Sequence, residues 1–177
     1  MTKNRQNTTR GKARKHALDI LYEADVRGAD PREMLADRIA LGERTVRPFT
    51  IEIVQGVTDH GEALDATLRD ALAEGWSVER MPSVDRCLAR IGLFELAHTD
   101  TPAAIVVNEA VDLAAEYSTP TSPGFLNALL ARVARDREGA EATPATDDAP
   151  AADDDAPAAE AGTPPVAAQG AGDAPAP

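Results

Sequence analysis

Aromatic residues are scarce in this chain. Three Phe, two Tyr and one Trp make up 3% of its 177 residues, so aliphatic side chains and alanine must fill any core. Cysteine occurs once, as Cys87, which excludes an intrachain disulfide and fits a reducing compartment. No stretch approaches the roughly 18 consecutive apolar residues needed to cross a bilayer. The N-terminal charges are not followed by the apolar run of roughly 7–15 residues that a secretory signal carries, so the expected location is the cytoplasm. His16, His60 and His98 show no metal-ligand spacing with Cys87 or with one another. There is no phosphate-cradling Gly-rich loop and no nucleophile motif. No metal, cofactor or catalytic residue is expected, and the chain does not read as an enzyme.

Charge is plentiful but unevenly placed. The formal net charge is -12, yet residues 1–15 carry six basic residues and no acid, among them Lys3, Arg5, Arg10 and Lys12. From Glu138 to the end there are nine acids and no base. A basic head and an acidic tail can attract different partners or each other. Residues 1–9 are polar and aperiodic and read as a flexible arm. Residues 138–177 consist mainly of Ala, Pro, Asp, Glu, Gly and Thr, without an aromatic or a Leu, Ile or Met. Such a segment cannot bury enough apolar area to offset its ordering entropy, and it reads as disordered. The folded part is expected over residues 10–137.

That part has helical periodicity throughout and little period-two alternation. Ala13, Ala17, Ile20, Leu21 and Ala24 form one apolar stripe, and Gly28 ends that helix. Asp30 is an N-cap candidate, with Pro31 at the first helical position and Glu33 completing a capping-box pattern. Met34, Leu35, Ile39 and Leu41 are the expected buried side of the second helix. Pro48 opens a long third helix with Ile53, Val57, Leu64, Leu68 and Leu72 inside, ending at Gly75; Gly56 and Gly61 weaken it by roughly 1 kcal/mol each against alanine. Trp76–Met81 is a short connector with room for one helical turn. Pro82 starts a helix with Val84, Cys87, Leu88, Ile91 and Phe94 inward. Thr101 and Pro102 start the next, with Val106, Ala110, Leu113, Ala114 and Tyr117 inward. Ser122 and Pro123 repeat the signal ahead of Phe125, Leu126, Leu129, Leu130 and Val133. Six or seven short helices with short loops predict an all-α fold of packed bundles.

The strongest chemical signal is Arg10, Lys12, Arg14 and Lys15 in the first turns of the first helix. Arg10 and Arg14 share one face and Lys12 and Lys15 another. The helix macrodipole disfavours each cation there by some 0.3–1 kcal/mol, whereas free backbone amides together with cations favour an anion. This local conflict on an acidic chain points to phosphate binding, although a solvated basic face remains the plain alternative. No aromatic residue interleaves the cluster, so base stacking must come from elsewhere, with Tyr22 and Phe125 available.

Four segments together resemble one family. Arg10-Gly-Lys-Ala-Arg-Lys-His-Ala-Leu-Asp-Ile-Leu-Tyr22 resembles the opening helix of the transcription antitermination factor NusB family, where Arg-x-x-x-Arg precedes Ala-Leu-x-x-Leu-Tyr. Arg90-Ile-Gly-Leu-Phe-Glu-Leu96 is similar to its Leu-Arg-x-x-x-Tyr-Glu-Leu segment, with Ala89 for Leu and Phe94 for Tyr. Ile105-Val-Val-Asn-Glu-Ala-Val-Asp-Leu-Ala114 resembles Val-x-Ile-Asn-Glu-Ala-x-Glu-Leu-Ala. Phe125-Leu-Asn-Ala-Leu-Leu130 resembles Phe-Val-Asn-Gly-Val-Leu, with Ala128 for Gly. The resemblance implies two three-helix subdomains packed side by side. It implies binding to single-stranded boxA RNA of ribosomal RNA leader transcripts together with the small-subunit ribosomal protein NusE. It further implies assembly with other Nus factors and RNA polymerase, and homodimers in some members.

By position, the resemblance implies that Arg10, Lys12, Arg14 and Lys15 meet RNA phosphates, joined by Arg90. It places Thr121, Ser122, Phe125 and Asn127 in the region that meets bases; Thr121 stands where an Asp often precedes the Ser. Asp85 and Glu95, on acidic faces of the middle helices, are candidates to meet a basic ribosomal protein. Ordinary readings compete: Arg90 in a surface ion pair, Phe125 in the core, Asn127 as a cap. Asn108 and Glu109 lie between apolar positions, where a buried amide ties two helices together. A helical dimerisation or scaffold module, or a stand-alone relative of the NusB-like domain of ribosomal RNA cytosine methyltransferases, are the alternatives for the whole chain.

Overall fold

The computed structural model describes residues 9–42, 46–73 and 75–141. The expected arm falls outside these except for Thr9, and so does the expected tail from residue 142 onward. Among the described residues there are seven α-helices and no strand: α1 (Thr9–Arg27), α2 (Pro31–Ala40), α3 (Pro48–Asp59), α4 (Gly61–Ala71), α5 (Ser83–His98), α6 (Ala103–Tyr117) and α7 (Ser122–Glu141). A single 3₁₀ turn, Val78–Arg80, fills the connector after Trp76. None of the described helices is long and apolar enough to cross a membrane.

The end signals act where the sequence places them. Gly28 follows α1 at φ 63°, the left-handed position that glycine adopts without a Cβ penalty. The Ala29 amide closes the end on Ala24 O at 3.0 Å. The Asp30 carboxylate accepts from the Arg32 amide at 2.8 Å, with Pro31 in the first turn of α2. Leu35 is buried and Met34 packs against the core, but Ile39 and Leu41 are 51% and 72% exposed. The expected four-residue stripe therefore reduces to Met34 and Leu35.

The expected long helix from Pro48 is two helices. His60 leaves helical geometry at φ -103°, ψ 12°, closing α3 on Gly56 O at 3.0 Å while its own carbonyl accepts from Leu64 N at 2.9 Å to start α4. Gly56 of α3 abuts the Phe94 ring, where a Cβ would sit 2.0 Å from Phe94 Cε2. Leu64 and Leu68 remain buried from α4.

Helices α1, α2 and α3 pack on one another, as do α5, α6 and α7, giving two three-helix groups joined through α5, which also meets α1, α3 and α4. The core runs through both groups, with Ile20, Ile53, Leu68, Leu88, Leu113, Leu126 and Leu130 fully buried. Burying each such side chain is worth roughly 1.5–3 kcal/mol. Gly92 lets α7 approach α5, since a Cβ there would lie 2.7 Å from a Leu130 methyl. Cys87 is a core residue as expected, its thiol pushed up to about 12 by burial. Tyr117, expected inside, is 38% exposed at the end of α6. Helix α7 continues to Glu141, four residues beyond the expected limit of the folded part.

Candidate nucleic-acid interface

Ion pairs fix the direction of α1 against α5. Near the start of α1, Arg14 pairs with Glu95; near its end, Asp25 accepts from Arg86 Nη2 at 2.6 Å. The two helices are therefore antiparallel, and the start of α1 lies beside the end of α5 and the loop into α6. Thr50 Oγ1 of α3 donates to Ala13 O at 3.1 Å from a buried position, holding the same end of α1 from a third side.

The four cations of the first turns go to three different environments. Arg10 is exposed; its Nη1 donates to Thr101 Oγ1 at 3.3 Å, and its guanidinium lies 4.8 Å from the centre of the Phe49 ring. A polar cavity of about 360 Å³ opens beside it, lined also by Glu52, His98 and Asp100. Lys12 is exposed, and no carboxylate among the described residues pairs with it. Lys15 is half-buried, pairs with Asp19 at 2.6 Å and sits 5.2 Å over the Tyr117 ring.

Arg14 is a correction. It is 2% exposed and lies under the Phe49 ring at 5.3 Å. Its Nε and Nη2 donate to the two oxygens of Glu95 at 2.8 and 2.6 Å, and Nη1 stands 3.5 Å from Glu109. Burial alone would lower its pKa, but the hydrogen bonds and charge of Glu95, with Glu109 behind, raise it overall. The residue sits too deep for a phosphate to reach, and it ties α1 to α5 and α6. Glu95, 1% exposed within the same cluster, cannot face a partner. Asn108, whose amide was expected to be buried and to tie two helices, is exposed, and the link between α1 and α6 comes from the buried Glu109 carboxylate beside Arg14.

At the opposite end of α5, Asp85 is 4% exposed and accepts from Ser118 Oγ at 2.6 Å and Ser122 Oγ at 2.7 Å. It is thus an internal anchor for the turn between α6 and α7, and no partner surface. Ser122 is also buried, its hydroxyl serving this anchor; Thr121 and Asn127 are exposed. Phe125 is partly buried against the core and stacks on Trp76 with ring centres 6.0 Å apart.

Arg90 is not brought to the basic start of α1. Its Nε and Nη2 donate to the two oxygens of Asp65 at 2.8 Å each, with Asp25 at 4.0 Å. Those hydrogen bonds raise its pKa above the ordinary arginine value. Asp25 lies fifteen residues along α1 from Arg10, which is roughly 22 Å of helix. The ion-pair reading describes Arg90.

Phe49, the platform under Arg10, stands four residues before Ile53 on the stripe of α3, and nothing local in the sequence marks it as a partner for a cation. Trp76 stands in the expected connector, and its ring contact with Phe125 likewise has no local signal.

A sequence model of the NusB family matches residues 11–135. The chain belongs to the NusB family. Among its relatives, the transcription antitermination protein NusB of Cutibacterium acnes is 49% identical over 142 residues, covering 80% of this chain. This chain spans 54% of that relative's length. The transcription antitermination protein NusB of Beutenbergia cavernae is 50% identical over 148 residues, covering 74% of this chain and 96% of the relative. In structure, NusB of T. maritima aligns with a TM-score of 0.66 at 25% identity, over 76% of this chain and 98% of that one. A NusB–NusE complex with dsRNA contains a chain of the same fold, with a TM-score of 0.62 at 24% identity over 73% of this chain and 99% of that one. The relatives it matches are transcription antitermination proteins.

Proposed function

We propose that this NusB-family chain binds single-stranded boxA RNA of ribosomal RNA leader transcripts together with the ribosomal protein NusE. The pair then joins RNA polymerase and other Nus factors in the cytoplasm to suppress termination. The observation that carries the reading is Arg10 and Lys12 held in the open at the first turns of α1, on a chain of net charge -12. Cations at a helix N-terminus act against the macrodipole and gain only from an anion brought to them. Thr101 and the Phe49 ring hold the Arg10 guanidinium in place, lowering the entropy lost when a phosphate binds. Thr121 and Asn127, exposed around the start of α7, offer hydrogen-bonding groups to bases. The same fold occurs in a NusB seen with NusE and dsRNA.

The test is a titration of the full chain with labelled boxA RNA, with and without NusE, at two salt concentrations. Expected is salt-sensitive binding strengthened by NusE and lost in the Arg10→Glu/Lys12→Glu double variant. Binding unaffected by that charge reversal overturns the assignment.

A further inference from the structure

Two helices of the first group begin with cations, and a hydrogen bond sets their starts side by side. Arg10 and Lys12 lie in the first turns of α1. Helix α3 is entered through Arg47, which takes the N-cap place in extended geometry at φ -72°, ψ 146°, with no capping bond from its side chain. Ser, Thr, Asp or Asn at such a place would cap the helix, whereas a cation there opposes the macrodipole. Thr50, in the first turn of α3, closes its amide on Arg47 O at 2.9 Å and donates from Oγ1 to Ala13 O of α1 at 3.1 Å. Phe49, beside it, carries the Arg10 guanidinium over its ring. Arg47 therefore stands next to the turns of α1 that hold Arg10 and Lys12.

The half-buried His16 imidazole, one turn after Lys12 on the same face, registers the surrounding charge. Burial is the main cause that lowers its pKa; the charge of Arg38 adds to it, Asp19 opposes, and Arg47 and Lys15 add further. Cations thus converge here from α1, from α2 and from the start of α3. Two of them are offset, Arg38 by Glu23 and Lys15 by Asp19. Among the described residues no carboxylate pairs with Arg47 or with Lys12. Arg47 is half-buried, which restricts its side chain, so less freedom is lost when an anion binds.

We propose that Arg47 is a further phosphate contact, closing with Arg10 and Lys12 a three-cation seat for the RNA backbone between the starts of α1 and α3. Each of these cations acts against the dipole of its own helix and gains from a phosphate brought between them. The inference rests on the RNA-binding reading above and adds to it a residue from a second helix.

The full chain, carrying isotope-labelled histidine and mixed with NusE, is titrated with end-labelled single-stranded RNA bearing boxA. Label anisotropy gives the affinity at several salt concentrations, and nuclear magnetic resonance gives the titration midpoint of His16 with and without RNA. Expected is an upward shift of that midpoint on binding, because a phosphate offsets the cations around the ring. Arg47→Gln should flatten the log–log salt slope by about 0.7 and weaken binding about fivefold at roughly 0.1 M salt, the loss of one single-strand phosphate contact. Arg47→Lys, which keeps the charge, should retain the slope. Arg80→Gln, at an exposed cation of the connector between α4 and α5, should change neither affinity nor slope. RNA binding with an unaltered slope in Arg47→Gln and an unmoved His16 would overturn the inference and leave the RNA-binding reading standing. A His16 shift produced by inorganic phosphate but not by RNA would assign the seat to a small anion and also overturn it. Absence of any anisotropy change in the parent chain would sink both readings.

Discussion

Arg14 donates two hydrogen bonds, of 2.8 and 2.6 Å, to the carboxylate of Glu95, and both side chains are almost wholly excluded from solvent. Removing one partner of such a pair leaves an uncompensated buried charge, at a typical cost of about 3–5 kcal/mol. Arg14→Ala is therefore expected to lower unfolding free energy by that amount in urea titrations monitored by circular dichroism. Arg10→Ala, four residues earlier and exposed, should change it by less than about 0.5 kcal/mol. Equal effects of the two would show that Arg14 is not the internal member of the pair.

The same division sets the salt dependence of RNA binding. With Arg14 buried, three cations of the first turns remain for phosphates: Arg10, Lys12 and Lys15. At about 0.7 counterions released per single-stranded phosphate contact, they contribute a log–log slope near -2. Arg10→Gln and Lys12→Gln should each flatten the measured slope by about 0.7. Lys15→Gln should do less, because its ammonium is shared with Asp19. A slope unchanged in all three variants would place the phosphate contacts elsewhere.

Glycine at 56 and at 61 separates propensity from packing. Both should weaken a helix by roughly 1 kcal/mol against alanine. At Gly61 a Cβ meets nothing within 4 Å, whereas at Gly56 it would overlap the Phe94 ring. Gly61→Ala is expected to raise thermal stability modestly. Gly56→Ala should lower it, by about 1–3 kcal/mol for overpacking. Paired melting curves check the difference in sign, and stabilisation of the chain by Gly56→Ala would contradict the close approach of α3 to α5.

Most helix boundaries were legible because their signals are local. Asp30–Pro31 caps α2, Gly28 closes α1, and prolines mark the starts of α3, α5, α6 and α7. The break at His60 was not, because the stripe from Ile53 to Leu72 continues across it in sequence. Nor could the sequence separate Arg10 from Arg14. They share a helix face and a residue type, and only Glu95 and Glu109, distant in the chain, draw one of them inside. Asp85 and Glu95 carried no sign of burial either. A carboxylate is expected to be solvated until its partners, here Ser118 and Ser122 for one and Arg14 for the other, are brought to it by the fold. Trp76 reads as an ordinary connector residue until α7 sets Phe125 beneath it.

His16 gives the fold a dependence on mild acid. Burial is the main cause that holds its pKa below the ordinary 6.5, and the positive charge of Arg38 adds to it, against a smaller pull from Asp19. The folded state therefore binds fewer protons at this site than the unfolded chain does. Above about pH 6.5 both forms are neutral and the site is silent. As pH falls below 6.5 toward the depressed folded value, the unfolded chain takes up a proton that the folded one refuses, and stability declines. His98 acts in the same direction, through burial and the neighbouring charge of His60. Asp25 works at lower pH. Its burial opposes ionisation, but hydrogen bonds from Arg86 and Ser83 hold its pKa below 3.8, so its contribution is lost only as pH falls below that value. His16→Gln should flatten the stability profile between pH 7 and 5 while leaving the steeper fall below pH 4 in place, as measured by urea midpoints across that range. An unaltered slope between pH 7 and 5 in the variant would remove His16 as the cause.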